Sequence, residues 1–174
     1  MSAESSVHPA ILGCLQVLDR CTLVLDRIPE SLYTKSEPPL ESIGAHLRHA
    51  IEHFVCFLDR LAGLEVDYDQ RCRDELLETD VAEARRVIEE LRTKLLEINI
   101  PTLEKAMRVV QLPGMDQSPV AVESSVVCEL IFLSSHMVHH LSLIYLRCAN
   151  AGIDLPEDVP LAFSTIAHRD AVVG

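Results

Sequence analysis

The sequence predicts an all-α chain, a four-helix bundle of the up-down-down-up type with a long loop or small hairpin before the last helix. Three observations predict it. The chain is 48% hydrophobic but holds only four Phe, three Tyr and no Trp, so its core must be aliphatic, which suits packed helices. Four stretches repeat apolar residues at helical spacing, and prolines, glycines or charged segments punctuate them. A chain of 174 residues is read as one domain, 1–174, long enough to bury about 70% of its unfolded surface without disulfides.

The first helix is expected over about residues 9–28. Pro9 suits a first helical turn, and Ile11, Leu15, Leu18, Thr22 and Leu25 keep the spacing up to Pro29. Glu30 to Pro39 reads as a loop, because Pro38 and Pro39 exclude regular hydrogen bonding. The second helix is expected over about 40–62, stopping near Gly63. Residues 64–79 are polar without a clear period and read as a long structured loop. Asp80 followed by Glu83 gives a capping-box pattern for a third helix over about 80–98, whose face is Val81, Ala84, Val87, Ile88, Leu91 and Leu95. Between Lys105 and Ser124, Val-rich arms flank a Pro-Gly pair, the pattern of a small hairpin or extended crossover. Ser124 or Ser125 caps a fourth helix over about 125–151, which Gly152 stops, and residues 152–174 form a C-terminal extension.

The formal charge of −12 and the absence of any Lys/Arg run argue against a nucleic-acid partner. No 18 apolar residues run together, and MSAESSVHPA lacks the basic and apolar regions of a secretory signal, so the expectation is a cytoplasmic protein with no membrane partner. The six cysteines form no CxxC pair and read as reduced thiols packed as small hydrophobes. Cys56 stands apart, lying two turns beyond His49 on the same side of its helix.

Six of the eight histidines fall in two clusters, His46, His49 and His53 in GAHLRHAIEHF and His136, His139 and His140 in SSHMVHHLSLI. On the second helix, His46, His49 and His53 share a sector of about 60° bordering the apolar arc of Ile43, Leu47, Ala50, Phe54, Phe57 and Leu61. On the fourth, Glu129, His136, His140 and Arg147 form a stripe about 40° wide beside Leu130, Leu133, Met137, Leu141 and Ile144. A buried polar group without a partner costs roughly 1–3 kcal/mol, so such a seam needs partners. A divalent ion held by neutral imidazoles supplies them: His136 and His140 sit one turn apart on one face, and the second helix adds at least one nitrogen across the interhelical space. His139 points away from the inward face and ranks below its neighbours, while His8 reads as an ordinary helix-border residue. Glu129 and Arg147 are each about two turns from the pair; structural pairing is the leading reading for both, ahead of a carboxylate behind the ligands or facing substrate and of a cation for an anionic substrate.

A histidine in the second helix within LRHAIEHF, a His-xxx-His pair in the last helix within HMVHH, and this chain length together resemble the DinB-like superfamily, damage-inducible metal-binding four-helix proteins related to thiol-dependent S-transferases. The resemblance covers the first helix through the fourth and rests on the spacing and order of the histidines. It implies a triad of His49, His136 and His140 with open positions for water or substrate, zinc or nickel as the metal, and a homodimer. His46, His53 and His139 exceed the simple pattern, as additional ligands or acid-base groups. Members of known activity look like transferases that deliver a low-molecular-weight thiol to an electrophile, or like mycothiol-dependent maleylpyruvate isomerases.

Two functions compete on these residues. One is a metal-dependent thiol S-transferase or hydrolase acting on a small molecule through an open three-His site. The other is a non-catalytic module, either metal-stabilised with His46 or His53 closing the site, or a metal-free interaction protein.

Overall fold

The computed structural model describes residues 7–38 and 41–173. Leu40, where the second helix was expected to begin, lies outside them, as does Pro39 of the preceding loop. In chain order the elements are α1 (Pro9–Arg27), α2 (Glu30–Tyr33), α3 (Ile43–Arg60), β1 (Glu65–Asp67), α4 (Glu75–Thr79), α5 (Val81–Leu96), α6 (Ile100–Leu103), β2 (Ala106–Gln111), β3 (Val120–Ser125), α7 (Val126–Asn150) and α8 (Phe163–Val173). Single 3-10 turns cover Leu61–Gly63 and Tyr68–Gln70.

The all-α bundle is thereby corrected. The hairpin expected before the last long helix exists as β2 and β3, but β1 joins it in parallel, making a three-stranded mixed sheet of order β1-β2-β3. Val66 lies opposite Val109, which lies opposite Val122. The segment read as a loop after the second helix hides β1 because only Val66 of its three residues is buried, too short a run to show alternation. Its pairing with β2 is a tertiary event. Leu64, in the left-handed region at φ 54°, turns the chain out of α3 and accepts the Arg108 N–H through its carbonyl at 2.8 Å. The loop at residues 30–39 likewise begins with the turn of α2, which buries Leu32 and Tyr33.

The four long helices start where local chemistry allows. His8 Nδ1 accepts the Ala10 N–H and caps α1, Ser42 caps α3, and Ser125 caps α7. Asp80 caps α5 through the amides of Ala82 and Glu83, but the reciprocal half of the capping box is missing: the Asp80 N–H goes to the Leu76 carbonyl, and Glu83 pairs with Arg86. Gly152, at φ 76°, ends α7 in a Schellman turn, with the Ile153 N–H donating to the Cys148 carbonyl.

α1 packs against α5 and α7, and α3 packs against the same two from the opposite side. The shared core is aliphatic with Tyr33, Phe54, Phe57 and Tyr68 among its largest members. α7 is long and apolar enough to cross a membrane by length and composition, yet half of that window is buried within the protein (50%) and its polar stripe faces inward at Glu129, His140 and Arg147. The C-terminal tail docks on α1: Arg20 donates to the Leu161 carbonyl at 2.8 Å and covers the Phe163 ring at 4.9 Å. α3 and α7 are neighbours, so the two histidine clusters meet.

Candidate metal centre

His49 from α3 and His136 and His140 from α7 offer three nitrogens that all lie within 4.8 Å of one another. This group can hold a metal. His136 Nε2 and His140 Nε2 stand 3.0 Å apart, and the His49 ring centroid lies 4.8 Å from that of His140 and 5.2 Å from that of His136. Nitrogens bound at 2.0–2.1 Å to one tetrahedral ion are about 3.3 Å apart, a value between the 3.0 Å of the His136–His140 pair and the 4.8 Å span of the group.

The seam is polar inside an apolar interior, and burial governs its charge. Desolvation, followed by repulsion from the neighbouring imidazoles, pushes His136 and His140 down to about 3 and His49 to about 4; His46 and His53 are lowered as well, chiefly by burial. All five are neutral at pH 7. Neutral imidazole is the form that ligates, and three imidazole nitrogens converge here, so the donor set fits a divalent cation.

These depressed values carry a stability prediction for the metal-free protein. Its folded state prefers neutral histidines, whereas the unfolded chain takes up protons below about pH 6.5, so stability is full above 6.5 and falls as pH drops toward the folded values near 3 to 4. Urea denaturation at pH 7 and pH 5, above most carboxylate titration, is expected to show a loss on the order of 1 kcal/mol per pH unit or more. A protein equally stable at both values would show that the histidines are not held neutral.

The remaining histidines surround the triad. His46 Nδ1 lies 3.3 Å from His140 Nδ1, which leaves His140 Nε2 directed at His136. His53 Nδ1 donates to the His49 carbonyl at 2.7 Å, and its ring meets His136 edge to face at 4.3 Å. His139 is exposed, its ring 5.2 Å from that of His140.

Glu129 and Arg147, placed near the pair by sequence, are engaged elsewhere. Glu129 accepts the Tyr68 hydroxyl at 2.8 Å and the Ser124 hydroxyl at 2.6 Å, and Arg147 donates to Glu37 at 3.1 Å and to the Lys35 carbonyl at 2.5 Å. Both side chains are buried, Glu129 beside Tyr68 and Arg147 reaching out to an exposed Glu37. Cys56, singled out for its side of the helix, donates its thiol to the Asp67 carbonyl at 3.4 Å, and burial raises its pKa, so it stays a thiol.

Three residues around the site were not found by sequence reasoning. Arg71 Nη2 lies 3.0 Å from His49 Nδ1, Glu52 sits beside Arg71, and the Tyr68 ring stacks on His53 at 5.3 Å. All three come from, or answer to, the segment read as a loop. Glu52, between His49 and His53 on α3, and Tyr68, a lone aromatic among charges, were the available signals. Tyr68→Phe should cost about 1–3 kcal/mol in urea denaturation, since it strips a donor from buried Glu129, and Tyr68→Phe/Glu129→Met should recover part of that loss. A Tyr68→Phe protein as stable as the parent would mean that water replaces the lost donor.

Comparisons with protein-family models, with curated proteins and with solved structures found no match.

Proposed function

We propose that this chain is a DinB-like divalent-metal protein in which His49, His136 and His140 hold zinc or nickel and leave positions open for a small molecule. The convergence of these three nitrogens within 4.8 Å carries the reading. A divalent ion held by these three histidines would lower the pKa of a bound thiol or water and polarise an acceptor, the chemistry of thiol transfer or hydrolysis. The protein's own part is to keep the imidazoles neutral by burial and to aim them. His46 orients His140 from its far nitrogen, and the rings of Tyr68 and Phe132 shield one flank, Phe132 stacking on His136 at 5.5 Å. Reaction in the cytoplasm, a low-molecular-weight thiol as co-substrate and a homodimer belong to the same proposal.

His53 favours a second reading, a closed, non-catalytic site. Its ring lies 4.3 Å from that of His136, and with Nδ1 donating to the His49 carbonyl its Nε2 keeps a lone pair.

Elemental analysis of untagged protein beside the His136→Ala/His140→Ala variant tests the proposal. About one zinc or nickel per chain, lost in the variant, supports it and justifies a thiol-transfer screen; no metal in either, even after incubation with zinc or nickel, sinks it. X-ray absorption then separates three histidines plus a light ligand from four histidines.

A further inference from the structure

Arg71 is the one cation in direct contact with the triad among the described residues, and its contact is chemically exclusive. Guanidinium nitrogens only donate, so the 3.0 Å bond from Arg71 Nη2 to His49 Nδ1 uses the single lone pair of a neutral imidazole. A metal on His49 needs that same lone pair, because the other nitrogen then carries the proton. Metal and Arg71 therefore cannot both hold His49.

The guanidinium has little else to turn to. Its side chain is 12% exposed; Nη1 donates to the Tyr68 carbonyl at 3.0 Å, while Nε faces Glu52 Oε2 at 3.5 Å, with neither of those two buried atoms making a hydrogen bond. Glu52, 5% exposed, spends its other oxygen on the Asp74 N–H at 2.8 Å. Three neutral imidazoles bring no negative charge to a dication, and Glu52 can offset only one positive charge of the resulting cluster. Arg71 and Glu52 also line a cleft of about 420 Å³ between α3 and α5, and Arg71 links that cleft to the triad through His49.

The geometry points to Arg71 as the residue that binds the anionic group of a carboxylate-bearing small molecule once metal occupies the site. This rests on the metal reading of His49, His136 and His140. Released from His49, the planar fork of Arg71 matches a carboxylate, and a carboxylate supplies the negative charge that the triad lacks. Arg71 thus sets specificity for anions over neutral ligands.

Cobalt(II) and acetate are the probes, read by the visible cobalt spectrum and by calorimetry. The wild type is expected to bind cobalt and to change its spectrum with acetate. Arg71→Gln should bind cobalt about tenfold more tightly, its competitor gone, and should need about tenfold more acetate for the same change. Arg71→Lys, which keeps the buried charge without the fork, should fall between them, and it carries the test if Arg71→Gln loses helical content. Acetate response at wild-type concentrations in both variants, or none in the cobalt-loaded wild type, overturns the inference and leaves Arg71 closing on Glu52. Failure of the wild type to bind cobalt overturns the metal reading itself, and this inference with it.

Discussion

Removing His140 is expected to lower zinc affinity by about two to three orders of magnitude. Structural zinc contributes about 10–16 kcal/mol across four ligands, so one imidazole accounts for about 2.5–4 kcal/mol. Of the three proposed ligands, His140 has the best-defined aim. Its Nε2 faces His136 Nε2 at 3.0 Å while its Nδ1 meets His46, and the side chain is buried at 8% exposure. His46→Ala should cost less, about 10- to 100-fold, because it removes only the group that orients His140. Calorimetric titration of both variants with zinc decides the assignment: a larger loss from His46→Ala than from His140→Ala would make His46 the ligand. The His140→Ala protein should also lose the rise in melting temperature that saturating metal gives the parent.

Gly44→Ala is expected to be the most damaging single methyl that the framework of the site can receive. A Cβ at position 44 overlaps the Glu78 carbonyl oxygen and stands 2.9 Å from both the Glu78 carbonyl carbon and Tyr33 Cε1. The Glu78 atoms are backbone, so no rotamer change relieves them; α4 must move off α3. That motion breaks the seat of α4, where the Tyr33 hydroxyl donates to the Leu77 carbonyl and the Asp74 N–H is held by Glu52. A loss of about 3 kcal/mol follows, or about 6–12 °C in Tm for a chain of this length. Gly63→Ala, with no atom within 4 Å of its added carbon, is the control and should stay within about 0.5 kcal/mol. Equal melting of the two variants by circular dichroism would refute the close approach. Because Gly44 lies two residues from His46 and Glu52 adjoins Arg71, Gly44→Ala should weaken metal binding too.

The long helices were legible because each declares itself locally. Ile11, Leu18 and Leu25 repeat with the helical period, Ser125 caps, and Gly152 stops, and none of these signals depends on a distant residue. The histidines were legible for the same reason: 46, 49 and 53, and 136 and 140, fall on single faces by spacing alone. The sheet was legible only by half. Its hairpin is a local pair of Val-rich arms around Pro-Gly, whereas β1 consists of three residues whose strand character exists only beside β2.

The sequence by itself determined an aliphatic helical core and two clusters of imidazoles on two helices. Tertiary structure brings His49 within reach of His136 and His140, while His46 takes the far side of His140. It also pairs Glu129 with Tyr68 and Arg147 with Glu37, and brings Arg71, Glu52 and Tyr68 around the triad. The physical reason is range. Helical period and capping are set by neighbours within one turn, but a lone pair, a buried carboxylate and a guanidinium find one another only after segments far apart in the chain have packed.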